Sequence, residues 1–385
     1  MIISQLKLKN WRNFQRVDIP LRQRQFIVGP NASGKSNLLD VFRFLRDIAK
    51  SEGGGLQKAV NDRGGISKMR CLSARRDPEI EIDISLSNVL DEEQAIWRYA
   101  IGLKQETRGY RQPVLSFEKV WKGNEQILDR PDSEDVKDSE RLKQTYLEQV
   151  NTNLEFRDIA KFLDTVSYIH LVPQLLRHAD ILQTSLIESD PFGQGFLVRV
   201  AKSTDRIQKF RLAKIEEALK IAVPQLNQLK FERDKDCGKP HLAALYSHWR
   251  PNAGWQREDQ FSDGTLRLIG LLWALLESES LLLLEEPELS LNSGIVSKLA
   301  PIIYRMQRQR KRQVIISTHS ESLLSDNGID GREVLLLTPG AEGTTIEVAG
   351  DISDIKVLLD VGLSVGEVIL PRSSPAKIEQ LELFK

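Results

Sequence analysis

Cysteine is scarce: Cys71 and Cys237 are the only two among 385 residues. They form no Cys-x-x-Cys pair and no metal-ligand spacing, which excludes a disulfide framework and leaves two thiols expected to be reduced. Net charge is lacking as well, because 54 Lys and Arg face 54 Asp and Glu. A basic field over the whole chain is therefore excluded, and any contact with nucleic acid must come from a local patch. Long apolar runs are missing too. Residues 268–276 and 281–284 are the longest, well short of the ~20 that a membrane helix needs. The opening MIISQLKLKNWRNF has no apolar stretch of signal-peptide length. The expectation is a soluble, cytoplasmic protein without a membrane partner. The chain shows no internal repeat, no low-complexity segment, no Asn-Lys-x-Asp guanine motif and no acidic cluster for a second metal site.

What is present begins at residues 26–40, FIVGPNASGKSNLLD. Three apolar residues run into Gly29, Pro30, Asn31, Ala32, Ser33, Gly34, Lys35 and Ser36, which is G-x-x-x-x-G-K-S. Asn37 follows, then a helical pattern with Leu38, Leu39, Phe42 and Leu45 on one face. A strand, a glycine turn and a helix in that order make a phosphate cradle. Turn N–H groups point inward, the helix N-terminus adds partial positive charge, and the lysine reaches the outer phosphates. Gly29 and Gly34 stand where a Cβ would block the backbone from wrapping the phosphates. The string implies binding of a nucleoside triphosphate, with Ser36 holding Mg²⁺ through its hydroxyl.

Period-two alternation predicts two strands before this motif and a strand at residues 80–86. Hairpin-spaced partners follow at 96–103, 114–121 and 126–128, together an antiparallel sheet. Residues 132–163 read as charged helix, 165–171 as a short strand, and 180–202 as ambiguous with a turn at 192–196. Residues 205–222 read as a helix stopped by Pro224, and 229–233 with 241–246 as paired strands. A helix is expected over 259–279 and another over 292–310. Strands are expected at 280–284, 313–317, 333–337 and 345–348. The expected division is an N-terminal lobe at 1–130, a mainly helical insertion at 131–255, and a C-terminal lobe at 256–385.

Three further strings bear on chemistry. LLLLEEPE (residues 281–288) is an apolar strand ending in carboxylates. Beside a P-loop, Glu285 would serve the metal and Glu286 would act as the base that polarises the attacking water. VIISTHS (314–320) is a buried strand delivering His319 where the γ-phosphate needs a sensor. FSDGT (261–265) sets Ser262 and Gly264 at a helix start, a second phosphate-binding surface best used on the nucleotide of another copy.

Taken in order, this set resembles the ABC-type ATPases: GPNASGKS as Walker A, FSDGT as signature loop, LLLLEEPE as Walker B, LSLN as D-loop and STHS as switch loop. The opening LKLKNWRNF, the asparagine-rich P-loop and SDG in place of SGG are similar to the RecF/SMC/OLD-like branch. So is the wide separation of Lys35 from Ser262, much longer than in transporters. The resemblance covers residues 1–70 and 255–350. It implies an α/β fold with a mixed central sheet, an antiparallel β-subdomain and a helical insertion. It also implies hydrolysis of ATP with Mg²⁺ in a homodimer that sandwiches two nucleotides. Gln174, with Gln57 behind it, is the Q-loop candidate for nucleotide contact.

The chain departs from the family in having Glu285 where an aspartate is usual and Asn292 in the D-loop. It also lacks zinc-hook cysteines, a long coiled coil and room for a Toprim domain. The expected function is a switch in DNA repair or anti-phage defence that controls a separate Toprim-like nuclease or toxin. The alternative is an ATP-binding scaffold with weak hydrolysis that sequesters its effector. Possible DNA contacts are Lys7, Lys9, Arg12 and Arg16, and Arg305, Arg308, Arg310, Lys311 and Arg312 at a helix end.

Overall fold

The computed structural model describes residues 1–50, 52–74, 77–88, 95–106, 110–177, 192–193, 195–248, 250, 254–277 and 281–373. Alternating apolar residues give β1 (Ile2–Trp11) and β2 (Phe14–Pro20) one buried face each. The next strand, β3 (Arg24–Val28), is buried throughout and leaves for a different sheet. β4 (Ile80–Ser87), β5 (Trp97–Gln105), β6 (Pro113–Lys122) and β7 (Glu125–Arg130) return to the first pair. Together they form an antiparallel sheet of order β2-β1-β4-β5-β6-β7.

β8 (Ser167–Ile169) precedes a small antiparallel sheet of β9 (Leu226–Arg233), β10 (Pro240–Tyr246) and β11 (Trp255–Arg257). β12 (Leu282–Glu285), β13 (Val314–Ser317), β14 (Val334–Gly340) and β15 (Gly343–Val348) complete the central sheet, of order β15-β14-β3-β13-β12-β8. Its pairs are parallel except β14 with β15. Parallel strands buried on both faces carry continuous apolar runs, which is why β12 and β13 show no alternation.

The central sheet divides the interior into two cores. Ile27, Leu283, Ile315, Leu335 and Leu337 face the helix Lys35–Ala49 and the antiparallel sheet beyond it. Phe26, Leu282, Leu284, Ile316 and Leu336 face the opposite side, toward the helices Asp263–Leu276 and Leu299–Arg310. Lying between two sheets, Lys35–Ala49 buries Val41 and Phe44 as well as Leu38, Leu39, Phe42 and Leu45. That is more than a single apolar stripe.

Two helix expectations are corrected. Residues 132–163 are broken into Ser133–Lys137, the 3₁₀ turns Ser139–Lys143 and Leu154–Phe156, and a helix at Arg157–Asp164. A buried ion cluster draws the backbone away from a helical ladder. Arg130 pairs with Glu118 and Asp135 and also donates to the carbonyls of Arg141 and Gln144, while Glu118 accepts the N–H groups of Tyr146 and Leu147. Residues 292–310 split into Ser293–Val296 and Leu299–Arg310. Pro301 has no N–H and its ring meets the carbonyl four residues back, so the helix restarts near it. Residues 196–202 of the ambiguous stretch form the helix Phe196–Lys202. Residues 180–191 and 194 lie outside the described residues.

Candidate functional site

The P-loop connects β3 to the helix Lys35–Ala49 and is braced by the turn between β1 and β2. Asn13 Nδ2 donates to Ser33 O at 2.7 Å and to Thr344 Oγ1 at 2.8 Å, and Asn13 Oδ1 accepts from Asn37 Nδ2 at 2.8 Å. Trp11 Nε1 donates to the carbonyl of Asn37 at 2.8 Å. Gly34 has φ 99°, and a Cβ there would sit 2.1 Å from Asn13 Nδ2. Only glycine allows both that backbone and that neighbour. At Gly29 a Cβ would lie 2.7 Å from both Leu337 O and Ser33 Oγ.

Lys35 Nζ donates to Gly29 O at 2.9 Å and Pro30 O at 3.0 Å. Burial pushes this ammonium below its ordinary pKa, against the pull of Glu286, Glu285 and Glu288. Asn31 and Ala32 are exposed at the mouth, and Ser33 Oγ is buried without a hydrogen-bond partner. A cradle with no room for side chains, a lysine on its own loop carbonyls and an orphaned hydroxyl fit a triphosphate.

β12 and β13 deliver the remaining chemistry to the same place. Ser36 Oγ donates to Glu285 Oε1, and the Tyr168 hydroxyl donates to Glu285 Oε2. His170 Nδ1 lies 3.3 Å from the carbonyl of Glu285. Glu286 takes a left-handed φ of 43°, with its N–H on Ser317 O at 3.0 Å. Non-glycine residues are rarely held there unless the surroundings enforce it. His319 Nε2 is 3.2 Å from Glu286 Oε1, and this contact, with Lys35 behind it, holds the Glu286 carboxyl below its usual range.

Glu288 is buried and ties the two strand ends together. It accepts from Thr318 Oγ1 at 2.5 Å and His319 N at 3.2 Å, while its other oxygen has no partner. Burial pushes its carboxyl pKa up. Lys35, Ser36, Glu285, Glu286 and His319 thus converge. Ser36 and Glu285 would hold a magnesium ion, and Glu286 stands beside them with one oxygen on His319.

The signature loop has different neighbours. Ser262 is exposed and caps the helix Asp263–Leu276, accepting from Thr265 N at 3.2 Å. A Cβ on Gly264 would lie 2.6 Å from Ser290 O, so this glycine has a packing reason within its own chain. Gln174 meets the signature loop. From the short helix Pro173–Arg177 its amide donates to Asp263 Oδ2 at 2.8 Å, beside Arg177 on Asp263 Oδ1 at 2.6 Å. Gln57 bridges the carbonyls of Pro113 and Lys143.

Three of the N-terminal cations are paired internally: Lys7 with Asp18, Lys9 with Asp77 and Glu81, and Arg12 with Asp40. Arg312 is buried and donates to Ala274 O. Reading the sequence missed Asn13, Tyr168, Glu288 and Thr318. Asn13, Glu288 and Thr318 lie inside quoted strings, whereas nothing near Tyr168 marks it.

The family described as "AAA domain, putative AbiEii toxin, Type IV TA system" matches residues 26–325, and the P-loop containing region of AAA domain matches residues 3–45. The chain belongs to the former family. No curated protein matches its sequence. Among solved structures, an SMC head bound to the C-terminal winged-helix domain of ScpA overlays with a TM-score of 0.56 at 15% identity, covering 90% of this chain and 98% of that one. An SMC head with extended coiled coil, bound to the C-terminal domain of ScpA and derived from Pyrococcus furiosus, gives a TM-score of 0.49 at 15% identity, covering 93% and 99%. The SMC head from Thermotoga maritima gives 0.43 at 15%, covering 90% and 99%. The fold is that of the SMC heads, and the longest described helix, Asp205–Ala222, has 18 residues.

Proposed function

We propose that two copies of this chain close around two ATP molecules and that hydrolysis reopens them. The motion gates a separately encoded effector, a nuclease or toxin, in anti-phage defence or DNA repair. The observation that carries this reading is the division of the two glycine loops. Lys35, Ser36, Glu285, Glu286 and His319 gather at one, while the other presents Ser262 to solvent at a helix start. An exposed helix N-terminus suits the γ-phosphate of a nucleotide held by a twin, toward which the Ser262 hydroxyl would turn from Thr265.

In this reading Lys35 and the loop N–H groups bind the phosphates. Glu286 takes the proton of the attacking water, and His319 orients Glu286. Magnesium, held by Ser36 and Glu285, would supply charge neutralisation on the phosphates. The toxin–antitoxin wording of the family and the winged-helix partner of the SMC head both support a protein effector. Direct DNA contact has less behind it, because Lys7, Lys9 and Arg12 are already engaged by carboxylates.

The test is size-exclusion chromatography with light scattering on Glu286→Gln, with and without ATP and Mg²⁺. A dimer mass that appears only with nucleotide is expected. A monomer under both conditions overturns the sandwich.

A further inference from the structure

Glu285 is one methylene longer than an aspartate and has one more rotor to immobilise. The sheet register offers a means of immobilising it. β8 and β12 run parallel with Tyr168 opposite Leu283, and Glu285 lies two residues beyond Leu283 on the same face. The side chain of Tyr168 therefore starts one residue pair behind the carboxylate and reaches forward along that face. Its hydroxyl donates to Glu285 Oε2, while Ser36 donates to Oε1. The phenol ring is 9% exposed and has the Arg43 guanidinium 4.3 Å over its centroid. Arg43 and Ser36 belong to the same helix, Lys35–Ala49. Helix, β8 and β12 thus meet at one tyrosine.

We propose that Tyr168 is the positioning residue for Glu285, a phenol that fixes the long carboxylate at the reach a bound divalent cation requires. The inference rests on the reading of Ser36 and Glu285 as the magnesium-holding pair. Once the Ser36 hydroxyl turns its lone pairs to a cation, Tyr168 is the hydrogen-bond donor that still holds the Glu285 side chain among the described residues. An aspartate at 285 would be too short to use the phenol in the same way. Tyr168 and Glu285 therefore work as a matched pair, and removing either should cancel the benefit of the other.

The experiment is calorimetric binding of a non-hydrolysable ATP analogue to the full chain across a magnesium titration. The variants are wild type, Tyr168→Phe, Glu285→Asp and the double variant, each checked for an unchanged melting profile. For Tyr168→Phe, affinity without magnesium should stay within about twofold. The magnesium concentration that gives half of the metal-dependent tightening should rise by roughly tenfold or more, the usual cost of losing a partner behind a metal ligand. In the Glu285→Asp background the same change should shift it by less than about threefold. Arg43→Gln, which loosens the ring and keeps the hydroxyl, should give an intermediate shift and serves if Tyr168→Phe melts early.

The proposal is overturned by an unchanged magnesium requirement, by an equal loss of affinity without metal, or by equal shifts in both backgrounds. Failure of the underlying site reading looks different, since Glu285→Gln would then leave the magnesium requirement at the wild-type value.

Discussion

The P-loop and the signature loop are built alike and finished differently. Each is a short glycine-bearing turn that opens a buried helix, Lys35–Ala49 in one case and Asp263–Leu276 in the other. In the P-loop the chain supplies everything around the turn: Asn13 against Gly34, Lys35 on the loop carbonyls, Ser36 on Glu285. In the signature loop the chain supplies only the supports. Arg177 and Gln174 hold Asp263, Ser290 packs on Gly264, and Ser262 is exposed with its hydroxyl on Thr265. The first loop draws its partners from its own chain, whereas the second leaves its helix start exposed at Ser262.

The strongest way to break that contrast is Lys35→Ala. It removes the charge at the centre of the completed site and is expected to cost about 2–5 kcal/mol of nucleotide affinity, the usual loss when one partner of a buried charged contact is truncated. Calorimetry with the non-hydrolysable analogue measures it. Retained affinity would mean that the first loop does not bind phosphate. Asn13→Ala comes next. It deletes the contacts to Ser33, Thr344 and Asn37, and at ~0.5–1.5 kcal/mol per hydrogen bond it should lower stability by about 2 kcal/mol in a denaturant titration. It should also make Gly34→Ala less damaging than in the wild-type background, because the added Cβ meets Asn13 first.

At the second loop the expected effects fall on stability and on the dimer rather than on nucleotide affinity. Gly264→Ala drives a methyl toward Ser290 O and should cost about 1–3 kcal/mol of stability, as overpacking does. Ser262→Ala loses a helix cap worth about 1 kcal/mol. Neither should change analogue affinity in the monomer, and Ser262→Ala should abolish the nucleotide-dependent dimer of Glu286→Gln. A dimer that survives Ser262→Ala would show the second loop to be a simple helix start.

Much of this contrast can be read from the sequence because each loop is one contiguous string joined to an apolar strand or helix. The central strands were equally plain. Leu282, Leu283 and Leu284 have neighbours on both faces and need no alternation. What escaped was set by residues far apart in the chain. Helical periodicity over 132–163 could not reveal that Glu118, on β6, would capture the N–H groups of Tyr146 and Leu147. Tyr168 meets Glu285 across 117 positions, and Asn13 meets Thr344 across 331. Pro301 differs, since a proline inside an expected helix is a local signal that needs no distant partner.

The smallest expected effect lies behind the P-loop site, where Glu288 ties the ends of two central strands together. Glu288 is buried beneath the turn that carries Glu286, and burial raises its pKa above the ordinary 4.5. A carboxyl whose folded pKa is raised binds its proton more readily in the native state. Its contribution to stability is therefore fully present below about pH 4.5 and is lost as pH rises through the raised value. Glu288→Gln keeps an oxygen for Thr318 Oγ1 and His319 N and abolishes the titration. Melting temperatures across pH 4–8 should show wild type losing stability relative to Glu288→Gln as pH rises. Glu288→Ala should instead destabilise at every pH, because it releases both strand ends. If Glu288→Gln fell below wild type at pH 8, the ionised carboxylate itself would be the better anchor for His319, and the buried negative charge would belong to the working site.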